Sequence, residues 1–419
     1  MAALVSTGAM VAAHGQAAAA GANYTLSTFK GLAYDGWEPG EPSVAVGSTY
    51  VVETVNTMLA VYTRAGRLSE ELLFSSLFPP APNPVSCTDP TVVYAAWVQR
   101  YAIACWDIGA GNTDALRLAV SRGSNPNGGW YTWATAPGSG VDQPSFEITK
   151  DKLMLLGSGS GSSAFWVYQL SDLLSGVMKP RVHTFVVSRG QFRAAVEISG
   201  STTAYAVQAY PGNDVYLVTV TGTPATAVAW RLSTLSYDFM SPPTEPSIPD
   251  GHLGDGHLDG RVLHANYEVT SAGAKIIEFS QMAECGGRNC NVDGRITLGR
   301  SGPVLSYLHT LSASGYDDTF GTVTVDGAGQ PILAYSRSSP TQAPEAAVIT
   351  SGLDKVVWPD PAGVTACAPG SSPPCDERWG DYLGAVRDPS YPSVVWLTGL
   401  VQAASGGWYW STVITSVTV

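Results

Sequence analysis

Glu41-Pro42-Ser43-Val44 sets a pattern that the chain repeats: an acidic residue near a Pro, an aromatic or an Arg opens a short apolar run that leads into further β-rich runs. The later openings are Asp89-Pro90-Thr91-Val92, Asp142-Gln143-Pro144-Ser145, Phe192-Arg193-Ala194, Leu258-Asp259-Gly260-Arg261, Asp318-Thr319-Phe320-Gly321 and Trp379-Gly380-Asp381-Tyr382. They recur about every 50 residues in the first half and about every 60 in the second, which is the period of a propeller blade with loop insertions. The expected fold is all-β: a seven-bladed β-propeller of four-stranded antiparallel blades, one domain over residues 22–419.

The second repeat shows the strands best. Residues 91–94, 101–106, 115–121 and 130–135 are apolar or alternating runs separated by turn residues. The fourth repeat reads the same way over 194–198, 203–209, 215–221 and 227–232, and the fifth over 261–269, 274–281, 295–299 and 304–310. The last repeat is one strand short, with only 382–386, 393–398 and 408–419. Residues 24–30 precede the first repeat and have no blade of their own. They are expected to supply the missing outer strand, because an open ring would leave two bare sheet edges.

Composition agrees. A propeller adds blades around one axis, so 419 residues stay in one domain where a single core would have divided. Abundant Gly (45) and Pro (28), with 13% charged residues, describe short strands and tight turns. No long helical periodicity appears, residues 170–178 being the best short candidate. A net charge of −12 with 22 scattered Lys and Arg excludes a nucleic-acid partner.

Residues 2–21 are rich in Ala and Gly, with small residues at 17–20 for cleavage, and read as a signal peptide with an upstream start or as an Ala-rich leader. No other run reaches the length of a membrane span. A secreted monomer, extracellular or periplasmic, is expected. Proximity pairs the six cysteines as Cys87 with Cys105, Cys285 with Cys290, and Cys367 with Cys375, in keeping with an oxidising compartment. C-x-x-C and H-x-x-x-H spacings, which would favour zinc, are absent.

The longest loop-like segments, 74–88, 236–256 and 357–378, all join the outer strand of one blade to the inner strand of the next. Such connections share one face of a propeller, which makes that face the expected binding surface. The acids at the repeat starts should meet there: Glu41, Asp89, Asp142, Asp318 and Asp381, with Asp255 or Asp259 from the fifth repeat and Arg193 in the fourth. Three readings stand side by side. The acids cap backbone N–H groups, or they hold a cation such as Ca²⁺, or two of them work as acid and base on a glycosidic bond.

His252-Leu253-Gly254-Asp255-Gly256-His257-Leu258-Asp259 has a composition suited to metal, with Asp255, His257 and Asp259 as ligands, or is simply a short polar loop. Arg378-Trp379-Gly380-Asp381-Tyr382 combines a guanidinium, two aromatics and a carboxylate, suited to a sugar. Equally, Trp379 and Tyr382 are blade packing.

Glu41-Pro42-Ser43-Val44-Ala45-Val46-Gly47 with Val52-Glu53-Thr54-Val55-Asn56, Ser86-Cys87-Thr88-Asp89-Pro90-Thr91-Val92-Val93-Tyr94, Leu333-Ala334-Tyr335-Ser336-Arg337-Ser338-Ser339 and Arg378-Trp379-Gly380-Asp381-Tyr382 resemble the repeats of bacterial secreted β-propeller proteins placed near sialidase-like propellers, a family whose role is largely unassigned. Residues 119–130 are similar to a degenerate Asp box, with Asn for Asp, and so imply a turn between two outer strands. Sialidase chemistry would draw guanidinium groups from Arg193, Arg261, Arg337 and Arg378 and a nucleophile from Tyr382 or Tyr335, but the Arg-Ile-Pro motif of the first blade is absent.

Two functions follow as expectations. The first is a secreted propeller binding a glycan or an extracellular protein at the loop-rich mouth through Glu41, Asp142, Arg193, Asp318 and Trp379, with Ca²⁺ as the one candidate cofactor. The alternative is a polysaccharide-cleaving enzyme, a glycoside hydrolase of sialidase-like type or a lyase, using Asp89, Asp381, Tyr382 and Arg378.

Overall fold

Period-two runs bounded by Gly and Pro fold as the spacing predicts, into seven four-stranded antiparallel blades in a ring. The computed structural model describes residues 24–34, 36–78, 87–108, 115–135, 142–159, 161–236, 240–249, 251–253, 260–359, 375–376, 378–402 and 409–419. In the second blade the strands are Cys87–Ala95, Arg100–Asp107, Ala115–Ser121 and Trp130–Thr135, each neighbouring pair antiparallel. Inward-facing apolar residues of adjacent blades interlock, so the core is a series of wedges. One wedge joins Val52, Leu59 and Val61 of the first blade to Val92, Tyr101 and Ile103 of the second.

The ring closes as expected. Thr25–Ala33 pairs antiparallel with Trp410–Thr418 and becomes the outer strand of the last blade, beyond Val394–Gln402 and Ala385–Arg387. The seam between the last and first blades is tight. A Cβ on Gly384 would lie 2.6 Å from the Val44 backbone nitrogen, so only glycine lets the two inner strands pass. Arg64 of the first blade pairs with the buried carboxylate of Asp388 and lies between the rings of Tyr391 and Trp396.

Two expectations are refined. The fourth blade's inner strand is split: Arg193–Ala194 pairs within its own blade, while Val196–Glu197 pairs in parallel with His264–Val269 of the fifth. Only Leu170–Leu174 of the suggested helix forms, and a second short helix, Phe74–Leu77, seats Phe74 between blades. The turn at the degenerate Asp box lies between the two outer strands of its blade, where Asn125 Oδ1 accepts from the Asn127 N–H at 3.1 Å. Cys87–Cys105 and Cys285–Cys290 are disulfides. Cys367 of the third suggested pair lies outside the described residues, as do residues 1–23. No helix among the described residues is long and apolar enough to cross a membrane.

The long connectors do meet. Ser247–Ile248 and Gly251–His252, between the fourth and fifth blades, form a small sheet with Cys375–Asp376, between the sixth and seventh. In it Gly251 is paired with Cys375 and His252 with Asp376.

At the blade starts a single residue is turned left-handed. Glu41 (φ 48°), Asp89 (51°), Gln143 (48°), Gln191 (62°) and Phe320 (54°) adopt it, and Gly260 (73°) does so in the fifth blade. In the second, third and sixth blades the turn coincides with a bulge in the inner strand. Each non-glycine residue there costs about 1–3 kcal/mol, strain that concentrates at functional sites. The register also corrects the sequence alignment by a small step. The residues equivalent to Glu41 and Asp89 are Gln143 and Phe320, with Asp142 one position before the turn and Asp318 two before it.

Candidate functional site

Asn56, at the end of Tyr50–Val55, organises one end of the channel. Its amide donates to the Pro39 carbonyl at 2.8 Å and accepts from the Asp89 N–H at 2.8 Å, which fixes the strained start of the second blade. Gln143 does the same for the third. Its N–H lies 2.7 Å from Asp142 Oδ1 and 3.3 Å from Asp89 Oδ2, and its side-chain amide donates to Asp381 Oδ2 at 3.0 Å. Arg378 Nη2 closes the circle, 3.0 and 3.1 Å from the two oxygens of Asp381. Glu41, Asp89, Asp142 and Asp381, from four blades, thereby share one cleft of about 190 Å³ with Arg378, Trp106 and the partly exposed Trp37. The Trp410 indole N–H holds the Trp37 carbonyl at 2.8 Å.

These carboxyls protonate unequally. Burial, and then the hydrogen bond and charge of Asp89, push Glu41 well up. The same two causes push Asp142 up to about 8. Burial alone would raise Asp89 too, but hydrogen bonds from Glu41 and Asp142 and the charge of Arg193 outweigh it and hold Asp89 below the usual range. The result is one carboxylate flanked by two carboxylic acids, Glu41–H···Asp89⁻···H–Asp142.

The other expected residues are placed differently. Asp318 does not join the cluster: it lies two residues before the turn at Phe320, and Arg337 binds it through Nε at 2.8 Å and Nη2 at 3.1 Å and also reaches Asp354. Arg193 lines the channel below, with the Tyr382 ring under its guanidinium at 4.6 Å. Trp379 is 1% exposed and its indole N–H donates to Ser336 Oγ at 2.9 Å, so it packs blades. Tyr382 is buried with its hydroxyl donating to the Pro90 carbonyl at 3.1 Å. Burial pushes its phenol far up. We therefore expect Tyr382→Phe to cost about 1 kcal/mol of stability and to leave any turnover within about two-fold, read by thermal unfolding beside an activity assay. A hundred-fold loss of turnover would restore the phenol to the chemistry.

Asp255, His257 and Asp259 lie outside the described residues. Among the described residues no group of three or more His, Cys, Asp or Glu is arranged to hold a metal ion. Of the four arginines considered for sialidase chemistry, Arg337 is paired with Asp318 and Arg378 with Asp381. Trp37, Asn56 and Gln143 were not singled out from sequence. The Gln143-Pro144-Ser145 match to Glu41-Pro42-Ser43 was the signal for Gln143, and Asn56 closes the motif Val52-Glu53-Thr54-Val55-Asn56; Trp37 had none beyond proximity.

Further acids are buried at the far ends of the inner strands and on the first blade. Burial is the largest cause in each case: Glu53 is pushed up to about 7, Glu197 to about 6 and Glu268 to about 8, the last despite its ion pair with Arg387 at 2.7 Å. The folded chain then holds protons that the unfolded chain releases, so stability falls as pH rises from about 4.5 to 8. Half-buried His264, pushed down to about 4 by desolvation, acts in the opposite sense below pH 6.5. The raised acids outnumber the one histidine, so thermal melts should show Tm falling from about pH 4.5 upward, by on the order of 5 °C by pH 8.5. A Tm that climbs across that range would contradict the burial of these acids.

No family model matches the chain, and no curated protein does. Solved structures that align with it include an endo-arabinase from Bacteroides thetaiotaomicron, 13% identical over 77% of this chain and 97% of that one, with a TM-score of 0.38. An α-L-arabinofuranosidase from Fusarium graminearum aligns at 11% identity over 93% and 98%, with a TM-score of 0.44. The WD40 domain of Toxoplasma gondii coronin aligns at 9% over 95% and 87%, with a TM-score of 0.42. Likenesses this loose assign no chemistry, which rests on the side chains themselves.

Proposed function

We propose that the chain is an exported enzyme that cleaves a glycosidic bond at the channel mouth, with Asp142 as general acid and Asp89 as its ionised partner. The observation that carries this reading is the convergence of Asp89 and Asp142 on the Gln143 N–H in an open cleft, where burial and the neighbouring carboxyl push Asp142 up while Asp89 is held down. Glycoside hydrolysis needs one protonated and one ionised carboxyl at neutral pH, and environments that drive two neighbours apart supply them. Asp142 is only partly buried, so its proton is reachable. A glycosidic oxygen entering beside it takes over the hydrogen bond that Asp142 gives Asp89, and that proton is the one the leaving oxygen requires. Trp37 offers an aromatic face to a sugar ring, and the Arg378–Asp381 pair offers donors and acceptors to its hydroxyls. The two disulfides support export.

The test is reducing-end release from a panel of polysaccharides by the wild type, Asp142→Asn and Asp89→Asn. Product from the wild type and its loss in both variants, at unchanged fold, supports the reading. One observation favours binding without cleavage: Glu41, Asp89 and Asp381 are 1%, 7% and 4% exposed, which leaves little carboxylate open to substrate. Saturable glycan binding with no product would select that second reading.

A further inference from the structure

The innermost strands turn one edge to the axis, so N–H and C=O groups that no ladder uses face the channel. Neighbouring blades satisfy some of them. The Val92 N–H donates to Ser43 Oγ at 3.1 Å and the Ala194 N–H to Ser145 Oγ at 3.0 Å. Each serine oxygen acts as acceptor, which leaves its own O–H to donate elsewhere. Between these blades lies a cavity of about 40 Å³ with Ser43, Ser145, Arg193 and His264 on its wall and no carboxylate. It sits on the axial side of Tyr382, apart from the cleft.

Arg193 is the anomaly in that cavity. It is 6% exposed, its Nη2 is wholly buried, and that atom finds no hydrogen-bond acceptor among the described residues. Its recorded contact is the face of Tyr382. The carboxylates nearest in charge are engaged elsewhere: Asp89 with Glu41, Asp142 and the Gln143 N–H, and Asp381 with Arg378 and Gln143. A second buried cation, Arg261 (2% exposed), adds repulsion. His264 brings no negative charge, and its Nδ1 lies 3.0 Å from the Val323 carbonyl and 3.1 Å from the Asn266 amide nitrogen. A buried guanidinium with donors unmet is costly, and structures keep one only where something accepts from it.

We propose that this cavity binds a small inorganic monovalent anion of the halide class, chloride in the cell's surroundings, which accepts from Arg193 Nη2 and the Ser43 and Ser145 hydroxyls. The volume is about three times the roughly 10–15 Å³ that one water centre needs, enough for a halide and a water and too small for a sugar ring or a carboxylate-bearing substrate. The anion ties the first, third and fourth blades together at the axis. No cleft acid touches the anion, although Arg193 also helps hold Asp89 ionised, so the test below reads halide binding and not turnover.

Two measurements on the whole protein test it. In thermal melts at constant ionic strength, replacing sodium gluconate by sodium chloride or bromide to about 0.5 M should raise Tm by about 2–4 °C. Arg193→Met should abolish that response. Crystals of the wild type grown in bromide should show an anomalous peak within about 3.5 Å of Arg193 Nη2, which decides the matter even where the variant fails to fold. A Tm indifferent to halide, or a bromide peak anywhere but this cavity, overturns the proposal and leaves water as the occupant.

Discussion

Deleting residues 25–33 should abolish cooperative unfolding of the remaining chain. The deleted strand carries one whole edge of the last blade, pairing from Thr25 with Thr418 to Ala33 with Ser411. It also buries Leu32 and packs Phe29 against Tyr62 at 5.4 Å and Trp396 at 6.5 Å. Its backbone reaches across the seam, where the Leu32 N–H donates to Glu53 Oε2 at 3.0 Å and the Thr412 hydroxyl donates to the Leu32 carbonyl at 3.1 Å. Without it Trp410–Thr418 becomes a bare edge, the buried carboxyl of Glu53 loses a donor, and the seam keeps only contacts such as Arg64 with Asp388. Calorimetry should show a broad, early or absent transition, and scattering should show aggregation. A sharp transition within about 3 °C of the full chain would mean that the ring does not depend on this strand.

The second large effect lies at the mouth. Asp142→Asn keeps the volume and removes the proton to be transferred, so turnover should fall by about 10²–10⁴. Asp89→Asn should do at least as much, because it removes the ionised partner and unmakes the hydrogen bonds that hold the protons of Glu41 and Asp142. Stability should respond differently. Neutralising a carboxyl that is already protonated changes little, whereas losing Asp89 leaves two acids without their acceptor. Asp142→Asn is thus expected near wild-type Tm at pH 6 and Asp89→Asn several degrees lower, as thermal melts beside the assay will show. Equal loss of Tm in both would point to a merely structural cluster.

Blade number, strand order and closure were legible because each is written in local terms: a period, an alternation, and a final repeat short of one strand. The choice among the acids was less so. Glu41, Asp89, Asp142 and Asp381 all begin repeats and do converge, but Asp318 looks the same in sequence and is taken by Arg337, a partner 19 residues away and across the ladder. The offset of Asp318 from the left-handed turn decides this, two positions before Phe320 where Asp89 is itself the turn residue, and no run of residue types announces that turn. Trp379 and Tyr382 had both a ligand reading and a packing reading. Burial selects packing, a property of the assembled ring that single-chain patterns do not carry. Protonation was also out of reach, since it depends on which carboxyl hydrogen-bonds to which.

The dependence of kcat/KM on pH for the wild type and Asp142→Asn, on whichever polysaccharide yields product, tests the acid–base reading most directly. The wild type should be active from weakly acidic pH up to about 8 and lose about ten-fold per unit above it, as Asp142 gives up its proton. Asp142→Asn should lack that basic limb and retain at most about one hundredth of the rate. Turnover in the variant with the wild-type profile, or glycan bound by both proteins with no product at any pH, would contradict cleavage at this mouth.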